Sequence, residues 1–112
     1  MATMIALKAG VKLADLTSQM VLAVVVVSSV YTALNEECVI TSCNDGKHMK
    51  GSRHYTGEAC DFRLRHISAQ VLRDKAASWV RSALGTLGGN YTVLHEYPGT
   101  EREHIHVEYA PK

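Results

Sequence analysis

No block of like charge runs anywhere in this 112-residue chain. Twelve Lys and Arg face eleven Asp and Glu, for a net charge of +1. Bulk charge therefore gives no support to nucleic-acid binding, which calls for a basic patch or stripe. Internal repeats, linkers and low-complexity tracts are also missing. One domain over residues 1–112 is the expectation, with its core at about 16–111. A large additional binding module does not fit in this length. Cysteine is scarce: Cys38, Cys43 and Cys60 form an odd set without framework spacing. That argues against a disulfide-stapled secreted domain and predicts free thiols in a reducing compartment.

Charge is wholly absent from Leu16 to Leu34, and Met20 to Val27 is almost entirely aliphatic. The run approaches the length of a membrane span. Thr17, Ser18, Gln19, Ser28, Ser29 and Thr32 interrupt it, and no basic flank follows. It does not sit at the N-terminus with a small-residue cleavage site, as a secretory leader would. A buried core helix from about Asp15 or Thr17 to Asn35 is the expectation, without stable membrane insertion.

The remaining elements follow from periodicity. Met4 to Leu13 reads as a short strand or an irregular arm. Cys38–Ser42 reads as a buried strand, with Cys38 and Cys43 on opposite faces if it is regular. Asn44-Asp45-Gly46 signals a turn, and Ala59 to Arg63 a short strand. Ser68 to Leu84 is the clearest helix. Ser68 is its expected N-cap, and Val71, Leu72, Ala76, Trp79, Val80 and Ala83 recur at helical spacing. Tyr91–Tyr97 and His104–Tyr109 alternate like two antiparallel strands joined at Pro98 to Arg102. The order predicts an α+β domain, two or three helices packed on a small antiparallel sheet.

Two short segments carry chemistry. The first, Ser52 to Asp61, contains His54, Gly57, Ala59 and Asp61; the second is Glu103-His104-Ile105-His106-Val107-Glu108. Together they supply imidazoles and a carboxylate for a metal, plus a spare carboxylate to work on water. A catalytic zinc site needs three protein ligands and one open position. On a regular strand His104 and His106 share a face, whereas Glu103 and His106 do not, so a catalytic Glu103 must sit in the loop or at a bulge before the strand. His104 is the other candidate for that role, or for electrostatic stabilisation. Glu108 alternates with His106 and reads either as a hydrogen-bond partner of a ligand imidazole or as a solvated residue. His66, His95 and Trp79 are read as structural, Trp79 in the core. Cys60, beside Asp61, points the other way and reads as a buried thiol.

The pattern Ser52-x-His54-x-x-Gly57-x-Ala59-x-Asp61, followed by Glu103-x-x-His106, resembles the zinc peptidases that cut peptidoglycan peptides. These include D-alanyl-D-alanine carboxypeptidases and dipeptidases and the L-alanyl-D-glutamate endopeptidases used as phage endolysins. Their fold is shared with the hedgehog signalling domain. The resemblance covers about Leu16 to Pro111 and implies His54, Asp61 and His106 as ligands of one Zn2+, with Glu103 as catalytic base. Ser52 would brace the loop or touch substrate, and Tyr55 would line the groove or pack. Many relatives place a substrate-binding arginine after the strand equivalent to Cys38–Ser42. This chain has Cys43 to His48 there, without arginine, leaving Lys47, His48 or Arg53 to supply the positive charge.

The resemblance thus implies a phage or prophage lytic enzyme or a carboxypeptidase, monomeric and acting on peptidoglycan stem peptides. It would be made in the host cytoplasm without a signal peptide and act at the cell wall after release. A non-catalytic zinc-binding module of the same fold is the alternative; loss of the base would favour it. A metal-dependent nuclease lacks its basic stripe and ββα metal finger.

Overall fold

The computed structural model describes residues 5–11, 13, 16–43 and 58–110. Among the described residues, two helices and five strands form an α+β unit. In chain order they are β1 (Ile5–Leu7), α1 (Ser18–Ala33), β2 (Cys38–Ser42), β3 (Ala59–Arg63), α2 (Gln70–Gly85), β4 (Tyr91–Glu96) and β5 (His104–Tyr109). The sheet order is β1-β2-β3-β5-β4. It is mixed rather than antiparallel as expected, because β1 pairs in parallel with β2. The connection between these two strands contains α1, and a crossover helix is what parallel neighbours require.

Both helices pack on one face of the sheet. Met20, Ala23, Val27 and Tyr31 of α1 and Ala76, Val80 and Leu84 of α2 share one core cluster with Ile40, Cys60, Phe62, Val93, Ile105 and Val107. Thr17 caps α1, its hydroxyl accepting from the Met20 N–H. The helix ends where Asn35 takes φ 60°, with Glu36 N–H donating to Tyr31 O and Asn35 N–H to Thr32 O. This double bond pattern satisfies carbonyls the helix leaves open. The buried Tyr31 hydroxyl donates to Arg63 O at 2.6 Å, tying α1 to the end of β3.

Several expectations change. The valine-rich helix is buried on one side only: Val21, Leu22 and Val25 are exposed. Among the described residues no helix is long and apolar enough to cross a membrane. The second helix begins at Gln70, after Ala69, which makes no side-chain capping bond, so Ser68 is not its cap. Its core stripe is Ala76, Ala77, Val80 and Leu84. Trp79 lies off that stripe, 42% exposed beneath the Lys75 ammonium, and Val71 is exposed too.

The cysteines differ most. Cys43 and Cys60 form a disulfide, and only Cys38 is a free thiol. The reason is a register shift between β2 and β3 at Ile40/Ser42. An irregularity of this kind re-aims the residues beyond it, and Cys43 joins Cys38 and Cys60 in the core. Burial, then the charge of Glu37, pushes the Cys38 thiol up to about 12. None of the three is a ready nucleophile.

Candidate metal centre

Pairing of β3, β4 and β5 assembles the site from strand parity alone. Asp61 lies opposite His106, Arg63 opposite His104 and Glu96 opposite His104. Paired residues share a face, so Asp61, Arg63, Glu96, His104, His106 and Glu108 all project from the face away from the helices. The intervening Phe62, Ile105, Val107 and Val93 project into the core.

On that face the side chains converge, with Asp61, His104 and His106 only partly exposed. Asp61 Oδ1 lies 2.9 Å from His106 Nδ1 and 3.8 Å from His104 Nε2. Glu96 Oε1 lies 2.9 Å from His104 Nε2, and Glu108 Oε1 2.9 Å from His106 Nε2. Asp61, Glu96 and His104 each offer one donor atom, all within 4.8 Å of one another. Imidazole nitrogens and carboxylate oxygens this close could hold a metal ion. Burial pulls the His106 pKa down, but hydrogen bonds to Asp61 and Glu108, reinforced by their charges, raise it to about 9.

Of the residues predicted from sequence, Asp61, His104 and His106 come together here. Glu108 is a hydrogen-bond partner of His106 rather than a solvated residue. His54, Ser52, Arg53, Tyr55, Lys47 and His48 lie outside the described residues. Glu103 does not join the cluster. It precedes β5, as its spacing to His106 demanded, but its carboxylate turns under the sheet toward α2 and is 1% exposed. There Gln70 Nε2 donates to it at 2.8 Å, Arg73 Nη1 at 3.2 Å, Gly99 N–H at 3.2 Å and His95 Nε2 at 2.6 Å. Burial raises its pKa, yet the bonds from Gln70, His95 and Gly99 and the charge of His95 outweigh that and hold it below the ordinary value of 4.5. Asp74 completes this second cluster, 4.0 Å from His95 Nδ1.

His95, read from sequence as structural, is so, with Glu103 as its partner at 2.6 Å. Glu96 is the residue the sequence reading does not single out. The signal for both contacts is the hairpin. Closing Tyr91–Tyr97 on His104–Tyr109 pairs Glu96 with His104 and places His95 on the opposite face, beside the residue before His104.

Comparison with known proteins returns no match: no family model, no curated sequence and no solved structure is similar to this chain.

Proposed function

We propose that this chain is a zinc-dependent peptidase acting on peptidoglycan stem peptides, with a hedgehog-like peptidase fold. The observation that carries the reading is the convergence of Asp61, Glu96, His104 and His106 on the sheet face away from the helices, in a chain whose motifs resemble those peptidases. Asp61 and His106, with His54 from the first motif, would hold the ion. When bound, zinc supplies a Lewis acid that polarises a carbonyl and acidifies water.

The chain's own groups do the rest. Glu96 is the carboxylate placed to act as general base: it is on the metal face, its side chain is 39% exposed, and it contacts His104. A base must reach the proton it removes. Glu103, enclosed by four donors on the other side of the sheet, has no such reach. It serves as a brace for the hairpin that carries Glu96 and His104. His104, held between Arg102 O and Glu96 Oε1, is placed to steady negative charge on the substrate. An endolysin endopeptidase or a carboxypeptidase, acting at the wall after release, is the enzyme class this supports.

A second reading, a non-catalytic zinc-binding module, is favoured by one observation: the expected base Glu103 is remote from the cluster. The two readings part on a single comparison. Purified wild type, Asp61→Ala and Glu96→Gln are assayed for zinc content and for stem-peptide cleavage by mass spectrometry. Peptidase function predicts about one zinc and cleavage in wild type, no zinc in Asp61→Ala, and zinc without cleavage in Glu96→Gln. Zinc in wild type with no stem peptide cut selects the binding module.

A further inference from the structure

Among the described residues, only two besides glycine take a positive φ: Asn35 at 60° and Tyr97 at 52°. Asparagine tolerates that region, and Asn35 serves there to end α1. A bulky side chain does not, because its Cβ crowds the neighbouring backbone. Pro98 follows Tyr97 and narrows the choices of the residue before it further. The same loop places a glycine, Gly99, at φ 81°. It thus has glycine at one left-handed position and tyrosine at another. Two bonds hold the bend: the Thr100 N–H and hydroxyl both donate to Tyr97 O, at 3.2 and 2.8 Å. Strain of this kind persists only where the surroundings enforce it, and it gathers at ligand and active sites.

Core burial does not account for the tyrosine, which is 45% exposed. Its ring meets two neighbours instead. The Arg102 guanidinium lies 4.3 Å from the ring centre. The His104 imidazole lies 5.8 Å away at 47°, within the range of an aromatic pair.

His104 needs such a wall. His106 is tied at both nitrogens by residues within β3 and β5, Asp61 and Glu108, each at 2.9 Å. His104 is tied at Nδ1 to a loop carbonyl, Arg102 O, at 2.7 Å. A carbonyl can only accept, so Nδ1 carries the proton in that bond. Nε2 is then the nitrogen turned to the cluster, 2.9 Å from Glu96 Oε1 and 3.8 Å from Asp61 Oδ1. A ring anchored to a loop at one nitrogen can swivel about that bond. The Tyr97 ring, packed beside it, opposes the rotation.

We propose that Tyr97 is a positioning residue for the metal centre: its strained turn sets the ring against His104 and fixes the direction in which Nε2 meets Glu96 and Asp61. This deepens the peptidase reading and rests on it for what the cluster does, though not for the ring contact itself.

The test uses the full chain and three variants, Tyr97→Phe, Tyr97→Ala and Tyr97→Gly. Thermal melts read the strain. Long-range proton–nitrogen NMR of the zinc-free protein, at a pH where the imidazole is neutral, reads the His104 tautomer. Both truncations lose the ring, but only glycine accepts the backbone, so Tyr97→Gly is expected to melt about 4 °C above Tyr97→Ala. Wild type and Tyr97→Phe hold His104 as the single Nδ1–H form. In Tyr97→Gly the freed ring shows both tautomers. Turnover of stem peptide by the zinc-loaded Tyr97→Gly falls about tenfold in kcat, with KM within about twofold of wild type. An unchanged tautomer in Tyr97→Gly overturns the proposal. So does a Tyr97→Gly melt no higher than that of Tyr97→Ala, or mixed tautomers in Tyr97→Phe. If Tyr97→Ala does not fold, the tautomer in Tyr97→Gly decides. A wild type that cuts no stem peptide sinks the peptidase reading alone, since the melts and the tautomer are read without zinc or substrate.

Discussion

The β4–β5 hairpin carries two clusters of the same residue types on opposite faces, and they behave differently. Under the sheet, Glu103 is sealed in and met by donors from Gln70, Arg73, His95 and Gly99. On the opposite face, three carboxylates crowd two imidazoles that remain partly exposed. A buried carboxylate with every lone pair answered is a structural device. Carboxylates and imidazoles gathered this closely are a group that could hold a metal ion. Adjacent residues go to the two sides: His95 and Glu96, Glu103 and His104. Strand alternation therefore separates roles that the sequence places side by side.

Four outcomes sharpen or break this contrast. The largest concerns activity. Glu96→Gln is expected to lower stem-peptide turnover by about 10³-fold, within the range for loss of a general base, while Glu103→Gln stays within about tenfold of wild type. Steady-state kinetics at matched zinc loading decides; the reverse ranking would return the base to Glu103. Next is stability. Glu103→Leu strands the Arg73 and His95 donors and is expected to cost about 3 kcal/mol in urea unfolding, whereas Glu96→Leu, at the half-exposed site, changes it by less than about 1 kcal/mol.

Third is metal affinity. Glu108→Gln weakens the partner of His106 and should reduce zinc affinity by about tenfold in a chelator competition, with Glu103→Gln nearly silent. The smallest effect is in the acid limb. The Glu103 pKa is lowered on folding, so its contribution is fully present above the unfolded value near ~4.3 and is lost as pH falls through the folded value. Melting curves below about pH 4.5 should fall more steeply for wild type than for Glu103→Gln; parallel curves would show that Glu103 is not specially held.

Much of this architecture is legible in the sequence, for identifiable reasons. Alternation in His104 to Tyr109 and in Tyr91 to Glu96 gives both strands and the shared face of His104 and His106, because side-chain period is fixed by the backbone. Thr17 marks the start of α1 through its capping hydroxyl. The face of α1 is not legible: valine on every side gives no stripe, and only the fold decides that Val24 and Val27 are covered while Val21 and Val25 are not. Trp79 misleads because helical spacing admits it to the apolar series, although the core needs only the narrower stripe of Ala76, Val80 and Leu84. The disulfide is hidden by the register shift at Ile40/Ser42, which no local pattern announces. Glu96 is implied by the hairpin register, which pairs it with His104, whereas the motif singles out Glu103.

The Cys43–Cys60 bridge has a consequence for the metal. It closes a covalent ring around residues 44–59, the stretch in which His54 resides, and its second cysteine is the immediate neighbour of Asp61. A ring of this size removes about 3 kcal/mol of freedom from the open chain on the loop-entropy account. One prospective ligand, His54, lies inside that ring and another, Asp61, directly follows it, so part of the chain entropy lost on ordering this stretch is spent during oxidation rather than during binding. For an ion held by His54 and Asp61, capture would then be coupled to the thiol–disulfide state of its surroundings: reduction returns conformational freedom to the ring and oxidation removes it, with no ligand altered.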